Sequence, residues 1–208
     1  MPGFNITNFF TSVNTKGVLR DNSFILSIMP PQVMSNFSAT QTINELSLRC
    51  ESVNIPGINL QTQDIFRYGT GPVEKSPYSA FFTDVTAQFI VDRDATEYTF
   101  FNLWMNSIVN MDLQGGMLAA NPQFNSLPYE VRYRSEYATR VFIFVYNDKQ
   151  EKVVEVTLED AYPLTLHDTP FNWNNQDAMV KLQVTLNYRS MYIKTLSTGA
   201  LPAALRIT

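Results

Sequence analysis

Apolar and polar residues alternate near the carboxyl-terminal end of the chain, as they do in a β-strand with one buried and one solvated face. The apolar positions are Val180, Leu182, Val184, Leu186 and Tyr188. The polar positions are Lys181, Gln183, Thr185, Asn187 and Arg189. The pattern predicts a strand whose first set faces the core and whose second set faces water.

Further strands are indicated by short runs of alternating or continuous apolar residues. They are predicted at residues 23–29, 45–53, 85–91, 129–133, 140–146 and 152–158. Pro30 and Pro31 end the first run, because proline has no N–H to donate to a sheet. The segment 141–146 is apolar on both faces, which predicts that it is covered on both sides. A turn at residues 147–150 makes the last two strands a hairpin.

One segment has helical periodicity instead. Asp94 stands three residues before Glu97, a relative of the capping box that starts many helices. Apolar residues then follow at three- and four-residue spacing: Phe101, Trp104, Met105 and Ile108. This pattern predicts a helix over residues 94–111 whose apolar stripe packs on the core rather than holding a cofactor.

Three segments lack a regular pattern and read as arms. Residues 1–22 form a polar amino-terminal arm with a few aromatic anchors, and residues 193–208 form a carboxyl-terminal extension. The connection 58–82 contains glycine and proline and is longer than most loops, which favours a functional role. The prediction is a mainly β protein, a barrel or sandwich of antiparallel strands at 23–192 with one flanking α-helix and extended loop and terminal arms.

Composition narrows the classes of function. The 208 residues include 15 basic and 19 acidic side chains, so there is no basic field to hold nucleic acid tightly. With 15 Phe and 10 Tyr, the chain has more aromatic surface than one core needs, and the surplus is available for subunit contacts. A single cysteine excludes an intrachain disulfide and fits a reducing cytoplasm. No apolar run approaches the 18 or so residues of a membrane span.

The stretch RYGTGPVEKSP, residues 67–77, contains two glycines and a Lys-Ser pair, as some phosphate-binding loops do. After Gly69 and Gly71, however, Glu74 stands where a dinucleotide fingerprint has its third glycine, and no helical pattern follows. Lys75 lacks the preceding glycine of a P-loop. We interpret residues 67–77 as a loop whose backbone conformation is set by its glycine and proline residues.

Other candidate chemistry is equally weak. Cys50 and His167 are the only residues of their types, and Cys50 lies on the apolar face of its predicted strand, where thiols are inert. One Cys and one His cannot build a structural zinc site, and the acidic clusters 92–94 and 159–160 lack the spacing of a calcium loop. Carboxylate pairs can be drawn from Asp64, Glu74, Asp84 or Asp92, as in most chains. The sequence therefore predicts no catalytic residue, no metal and no cofactor.

Four stretches together carry a family resemblance. They are residues 48–57 (LRCESVNIPG), Arg67-Tyr68-Gly69 with Gly71-Pro72, residues 89–94 (FIVDRD), and residues 184–188 (VTLNY). In this order and spacing, over most of residues 20–192, the chain resembles the tail tube proteins of T-even-type contractile phages. The resemblance implies a structural protein, not an enzyme, with six copies per ring and rings stacked into a hollow tube that conducts the genome.

The resemblance also implies partners and a location. The partners are further copies of the chain, the tail sheath, the baseplate, the tail terminator, and, in the lumen, the tape measure protein and DNA bound without sequence specificity. No membrane is involved. The protein is expected in the virion tail, after assembly in the host cytoplasm.

Two sets of residues become candidates for contacts in such a tube. The segment 58–82 becomes an inter-subunit arm, with Arg67, Tyr68, Gly69, Gly71, Pro72, Lys75 and Tyr78 as contact residues. The polar positions of the last strand become candidates for the lumen lining: Lys181, Gln183, Thr185, Asn187 and Arg189. The acidic balance of the chain fits a wall that does not hold DNA, although the basic ends of this strand oppose strong repulsion.

Three alternatives stay open from the sequence. The longer ends of the chain fit a baseplate subunit that initiates the tube. A tube-like protein of a type VI secretion system would share the same architecture. A β-sandwich binding module or hydrolase would instead be a monomer or small oligomer with a concave pocket.

Overall fold

The fold is described from a computed structural model for residues 6–34, 39–66, 69, 71–111, 129–174 and 179–196. The strands are β1 (Phe24–Ile28), β2 (Cys50–Val53), β3 (Ile58–Ile65), β4 (Glu74–Phe82), β5 (Val85–Ile90), β6 (Thr139–Tyr146), β7 (Lys152–Leu166), β8 (Lys181–Asn187) and β9 (Ser190–Thr195). The helices are α1 (Ile6–Lys16), α2 (Ala39–Leu48), α3 (Thr96–Ile108) and α4 (Arg134–Tyr137), with a 3-10 turn at Gln32–Met34.

Seven strands form one antiparallel sheet in the order β1-β6-β7-β8-β5-β2, with β9 also paired to β7. The sheet bends where Asp160 in β7 adopts a left-handed φ of 52° and where β8 passes into β9. Before the bend, β7 pairs with β6 and β9; after it, β7 pairs with β8. We call β1, β6, β9 and the start of β7 the first half-sheet, and the end of β7 with β8, β5 and β2 the second half-sheet.

The two half-sheets enclose the core between them. The alternate, inward residues of both are almost completely buried: Leu26, Ile28, Val141, Ile143, Val156, Leu158, Val85, Ala87, Phe89, Leu182, Val184 and Leu186. The two ends of the strand path, β1 and β2, are not hydrogen-bonded to each other within the described ranges, so the barrel is not closed. The predicted mainly β, antiparallel fold class is confirmed.

Helix α3 flanks this sandwich as predicted. Phe101 and Trp104 are fully buried, and the Phe101 ring lies 5.2 Å from that of Phe89 on β5. The indole Nε1 of Trp104 donates to the carbonyl of Tyr137 at 2.9 Å. The predicted Asp94 cap is wrong, because the N-cap is Ala95, with a left-handed φ of 51° and no side-chain cap.

Two predicted strands differ in the structure. Residues 45–48 belong to α2, because Ile43 and Leu46 are buried at helical spacing while Leu48 is 78% exposed. Only the end of that segment forms β2. Residues 129–133 form no strand; the structure has an isolated bridge between Val109 and Val131, followed by α4.

The predicted arms contain regular structure. Helix α1 lies within residues 1–22, and the segment 58–82 is a two-stranded hairpin of β3 and β4 rather than irregular chain. β9 extends into the predicted carboxyl-terminal extension, whose residues 197–208 lie outside the described residues. Among the described helices, none has the length and apolar character needed to cross a membrane.

Candidate assembly surfaces

The β3–β4 hairpin continues the ladder of β2 and β5 beyond the body of the protein. β2 leads into β3, and β4 leads into β5, while both strand pairs are antiparallel. With eight residues at about 3.3 Å each, β3 is roughly 26 Å long. The predicted arm is therefore the distal half of a long β-ribbon.

Apolar side chains are exposed along this hairpin. Register places Ile58 opposite Phe82 and Leu60 opposite Ala80 on one face. Ile58, Leu60 and Phe82 are all exposed, Leu60 at 62%. An isolated hairpin is marginally stable in water, and this one has no layer packed on it among the described residues. The hairpin therefore offers an apolar face for a partner.

The predicted contact residues that the structure describes lie between the middle and the end of the hairpin. Gly69 and Gly71 have positive φ values of 71° and 125°, and an added Cβ would meet nothing within 4 Å, so backbone conformation rather than space selects glycine there. Lys75 lies opposite Asp64, and the hydroxyl of Tyr78 donates to Gln61 Oε1 at 3.0 Å. Pro72 is exposed. The structure brings these residues onto one ribbon, whereas Arg67 and Tyr68 lie outside the described residues.

The base of the hairpin is fixed to the body. Gly57 and Thr83 exchange hydrogen bonds, Gly57 N to Thr83 Oγ1 at 2.9 Å and Thr83 N to Gly57 O at 3.2 Å. The hydroxyl of Tyr188, at the end of β8, donates to the Thr83 carbonyl at 2.9 Å. The ring of Phe82 lies 6.3 Å from that of Tyr188. These contacts set the direction in which the ribbon leaves the second half-sheet.

The polar residues of β8 alternate with its buried ones, as predicted. Gln183 lies beside Gln88 of β5, and Thr185 lies between Thr86 of β5 and Thr165 of β7. The ring of His167 is within 2.9 Å of Thr185 Oγ1. We call this surface of hydroxyl and amide groups the polar face of the second half-sheet.

Both basic residues of this strand region have acidic partners. Lys181 Nζ lies 2.6 Å from Glu51 Oε1, and Arg189 Nε lies 3.1 Å from Asp160 Oδ2. Asn187 donates to Asp84 at 2.8 Å. Sequence reasoning missed Glu51 and Asp160, because they belong to other strands and only the sheet order places them beside β8. Each cation is thus neutralised locally.

A second exposed apolar surface lies between β7 and β8. In the described part of this β7–β8 loop, residues 167–174 and 179–180, Trp173 is fully exposed and Phe171 is 80% exposed. Met179 is also exposed, and Asn174 N donates to Asn172 Oδ1 at 3.0 Å in a local turn. The predicted contact residues do not include this loop, although a Phe-x-Trp pair beside a proline is a visible signal in the sequence.

A family model described as phage tail tube protein matches residues 19–194. The chain belongs to the phage tail tube protein family. This tail tube protein is therefore a structural subunit of a tube, which confirms the resemblance and the predicted structural role. The match covers both the β3–β4 hairpin and the polar face.

Solved structures of contractile injection systems share the fold of this tail tube protein. A chain of an extracellular contractile injection system, the PVC sheath–tube complex in its extended state, matches with a TM-score of 0.55 and 18% identity over 89% of this chain and 97% of that one. A chain of the anti-feeding prophage baseplate, 6-fold symmetrised, matches with a TM-score of 0.58 and 10% identity over 86% and 97%. No curated protein matches the sequence.

The tail tube protein does not bring Cys50 and His167 together. Cys50 lies on β2 and His167 follows β7, so two strands separate them, a distance of roughly 14 Å across the sheet. Burial raises the pKa of the Cys50 thiol to about 12, which keeps it protonated and unreactive. Among the described residues, no group of three His, Cys, Asp or Glu side chains is placed to hold a metal ion.

The most buried charge has a structural role. Glu97 of α3 is 2% exposed, and its carboxylate accepts hydrogen bonds from Arg49 and from the backbone N of Asp92 at 2.9 Å. Arg49 also contacts Asp92 Oδ2 at 2.9 Å. The N–H of Arg93 and the guanidinium of Arg49 lower the pKa of Asp92. This cluster fixes the start of α3 to the junction of α2 and β2.

Proposed function

We propose that this protein is the repeating subunit of the inner tube of a contractile phage tail. Six copies form a ring, rings stack into a hollow tube, and the genome passes through the lumen. The exposed apolar face of the β3–β4 hairpin is the observation that carries the proposal. A two-stranded ribbon of this kind is stable when a partner covers it.

Assembly from identical copies also gives the free strand edges a partner to pair with. In the described part of the chain, β1, β2 and β9 each pair on one side only. Open edges promote uncontrolled association unless they are paired or covered. Closure of a ring pairs such edges and limits sideways growth, and permanent interfaces of this class bury about 2,000 Å² or more.

The polar face of the second half-sheet is the candidate lumen wall. Gln183, Thr185 and Asn187 are uncharged, and Lys181 and Arg189 are each held by a carboxylate. Proteins bind a DNA duplex without sequence specificity mainly through Lys and Arg side chains that contact its phosphates. A wall with neutralised cations lets the polyanion pass without holding it.

The proposed partners follow from the tube. The structures with the same fold include a sheath–tube complex, a sheath/tube terminator and a baseplate. We infer a sheath around this tube, a baseplate and a terminator at its ends, and the tape measure protein and DNA inside. The subunit performs no catalysis, is assembled in the host cytoplasm and resides in the virion tail.

The test is electron microscopy of the purified protein and of a variant without residues 68–75. The full-length protein should form hollow rods or stacked rings. The deletion removes the end of the ribbon and leaves the sandwich intact, so it should keep a cooperative thermal transition and form no rods; reversal of charge at Arg67 should act in the same direction. A monodisperse monomer of the full-length protein at high concentration would refute the tube, and rods of normal length from the deletion would refute the arm.

A further inference from the structure

The single histidine of the chain lies on the polar face of the second half-sheet. The backbone N of His167 donates to the carbonyl of Gln183 at 3.0 Å, and its ring Nε2 lies 2.9 Å from Thr185 Oγ1. Thr165 is opposite Thr185 in the register, so both hydroxyls share this face with the imidazole. The fold therefore places a titratable ring among uncharged hydrogen-bonding groups.

The row of side chains across the sheet from His167 carries no charge. Gln183 of β8 is opposite Gln88 of β5, and Gln88 is opposite Ser52 of β2. Among the ion pairs of the described residues, none includes the imidazole. A proton gained by His167 thus adds a positive charge that is not cancelled within its row.

The charged groups that border the face lie outside this row, and most of them have partners of their own. They are Lys181 with Glu51, Arg189 with Asp160, Asp84 with Asn187, and Asp168, the exposed residue that follows His167. Because Glu51 and Asp160 each already hold a cation, they are not available as counterions for the imidazole.

We propose that His167, once protonated, forms a binding site for the phosphates of DNA together with the hydroxyls of Thr165 and Thr185. Histidine is the side chain whose charge normally changes between pH 5 and pH 8. In the imidazolium both ring nitrogens carry a proton, so one can donate to Thr185 while the other donates to a phosphate oxygen. The hydrogen bond to Thr185 suits either charge state, and the ring keeps its position when it gains the proton.

The site rests on the proposed tube, with the polar face as its lumen wall. Six copies per ring then present six such rings at one level, and every further ring of subunits repeats them. Weak contacts of this kind add up along a duplex that touches many of them. At neutral pH the wall lets DNA pass, because its described cations Lys181 and Arg189 are paired; in mild acid the same wall retains it.

Cosedimentation of tubes with a short labelled DNA duplex tests the site. At low salt, tubes should retain at least about tenfold more duplex at about pH 5.5 than at about pH 7.5, because many protonated sites act together, and added salt should abolish the increase. His167→Gln keeps a hydrogen-bonding side chain but has no titratable ring, so it should show no such increase. An equal increase in this variant, or none in unaltered tubes, would overturn the proposal.

Moving the histidine provides a second variant and a matched control. In a His167→Gln background, Gln88→His returns an imidazole to the same row and should recover about half of the increase or more. Tyr192→His in that background adds an imidazole on the outer face of the first half-sheet, where Tyr192 is exposed, and should recover none. Recovery by Tyr192→His, or none by Gln88→His, would overturn the proposal.

Two further measurements separate the phosphate from the tube. A duplex of the same sequence with an uncharged methylphosphonate backbone should show no increase in acid, and an increase equal to that of DNA would overturn the proposal. If the unaltered protein forms no tubes, the proposed function is refuted, but fluorescence anisotropy of the single subunit still tests the site. The subunit should bind DNA about threefold more tightly at the lower pH, with one added phosphate contact, and equal binding at both pH values would overturn the site itself.

Discussion

At the residue scale, Arg49 connects parts of the chain that lie far apart in sequence. Its guanidinium contacts Glu97 at the start of α3 and Asp92 before it, while its own backbone lies between α2 and β2. Glu97 is nearly inaccessible to water, so its carboxylate depends on these donors. A buried charge that loses its partner is costly, because neither water nor a counterion replaces it.

We therefore expect Arg49→Met to destabilise the folded subunit by roughly 3 kcal/mol, the lower end of the range for breaking a buried ion pair, since Arg49 is partly exposed. Chemical denaturation followed by circular dichroism measures the change. Arg140→Met is the matched control, because it breaks the more exposed contact with Glu159 at 2.8 Å and should change stability far less. Equal effects from the two variants would contradict a structural role specific to the Glu97 cluster.

At the scale of elements, the β-ribbon has two halves with different surroundings. The β2–β5 half is part of the second half-sheet, where Val85, Ala87 and Phe89 are fully buried. The β3–β4 half is exposed on both faces. Local stability follows the number of buried apolar contacts, so one ribbon should open in two steps.

Hydrogen exchange followed by mass spectrometry tests this difference. In the free subunit we expect the amides of β3 and β4 to exchange at least about tenfold faster than those of β5 and β8, because the hairpin opens without unfolding the sandwich. In assembled tubes the hairpin amides should become protected while β5 changes little. Unchanged exchange of β3 and β4 on assembly would show that the hairpin contacts no neighbour.

At the scale of the whole molecule, the distribution of charge matters more than the net value. The formal charge of −4 does not by itself prevent a local basic patch from holding DNA. The cations of the polar face are Lys181 and Arg189, one at each end of the strand region. The sheet order brings Glu51 and Asp160 against them, so the candidate wall carries paired rather than free cations.

Removal of both carboxylates should leave Lys181 and Arg189 without acidic partners and so free to bind phosphates. We expect Glu51→Gln with Asp160→Asn to bind a labelled DNA duplex with an affinity at least about tenfold higher than the unaltered protein at low salt, and to lose this binding as salt rises. Fluorescence anisotropy measures it. The control Asp148→Asn frees Arg20 on another surface and should bind no better than the unaltered protein. No gain from the double variant would show that carboxylate pairing is not what keeps the face from binding DNA.

The sequence by itself determined the elements whose pattern is local. The alternation from Val180 to Tyr188 and the apolar stripe of α3 predicted β8 and the flanking helix, because each face of such an element is set by its own residues. Where the pattern was ambiguous, it failed: Leu46 and Leu48 fit a strand, but burial of Ile43 with Leu46 made the segment helical. The order of motifs also predicted the tube family.

Only the tertiary structure decided which surfaces belong together. The pairing of Lys181 with Glu51, the position of Glu97 against Arg49, and the contact of His167 with Thr185 all depend on strand order and register. These are contacts between residues distant in sequence, and a local pattern carries no information about them. The sequence showed that an arm was present, and the fold showed that it is a ribbon with an exposed apolar face.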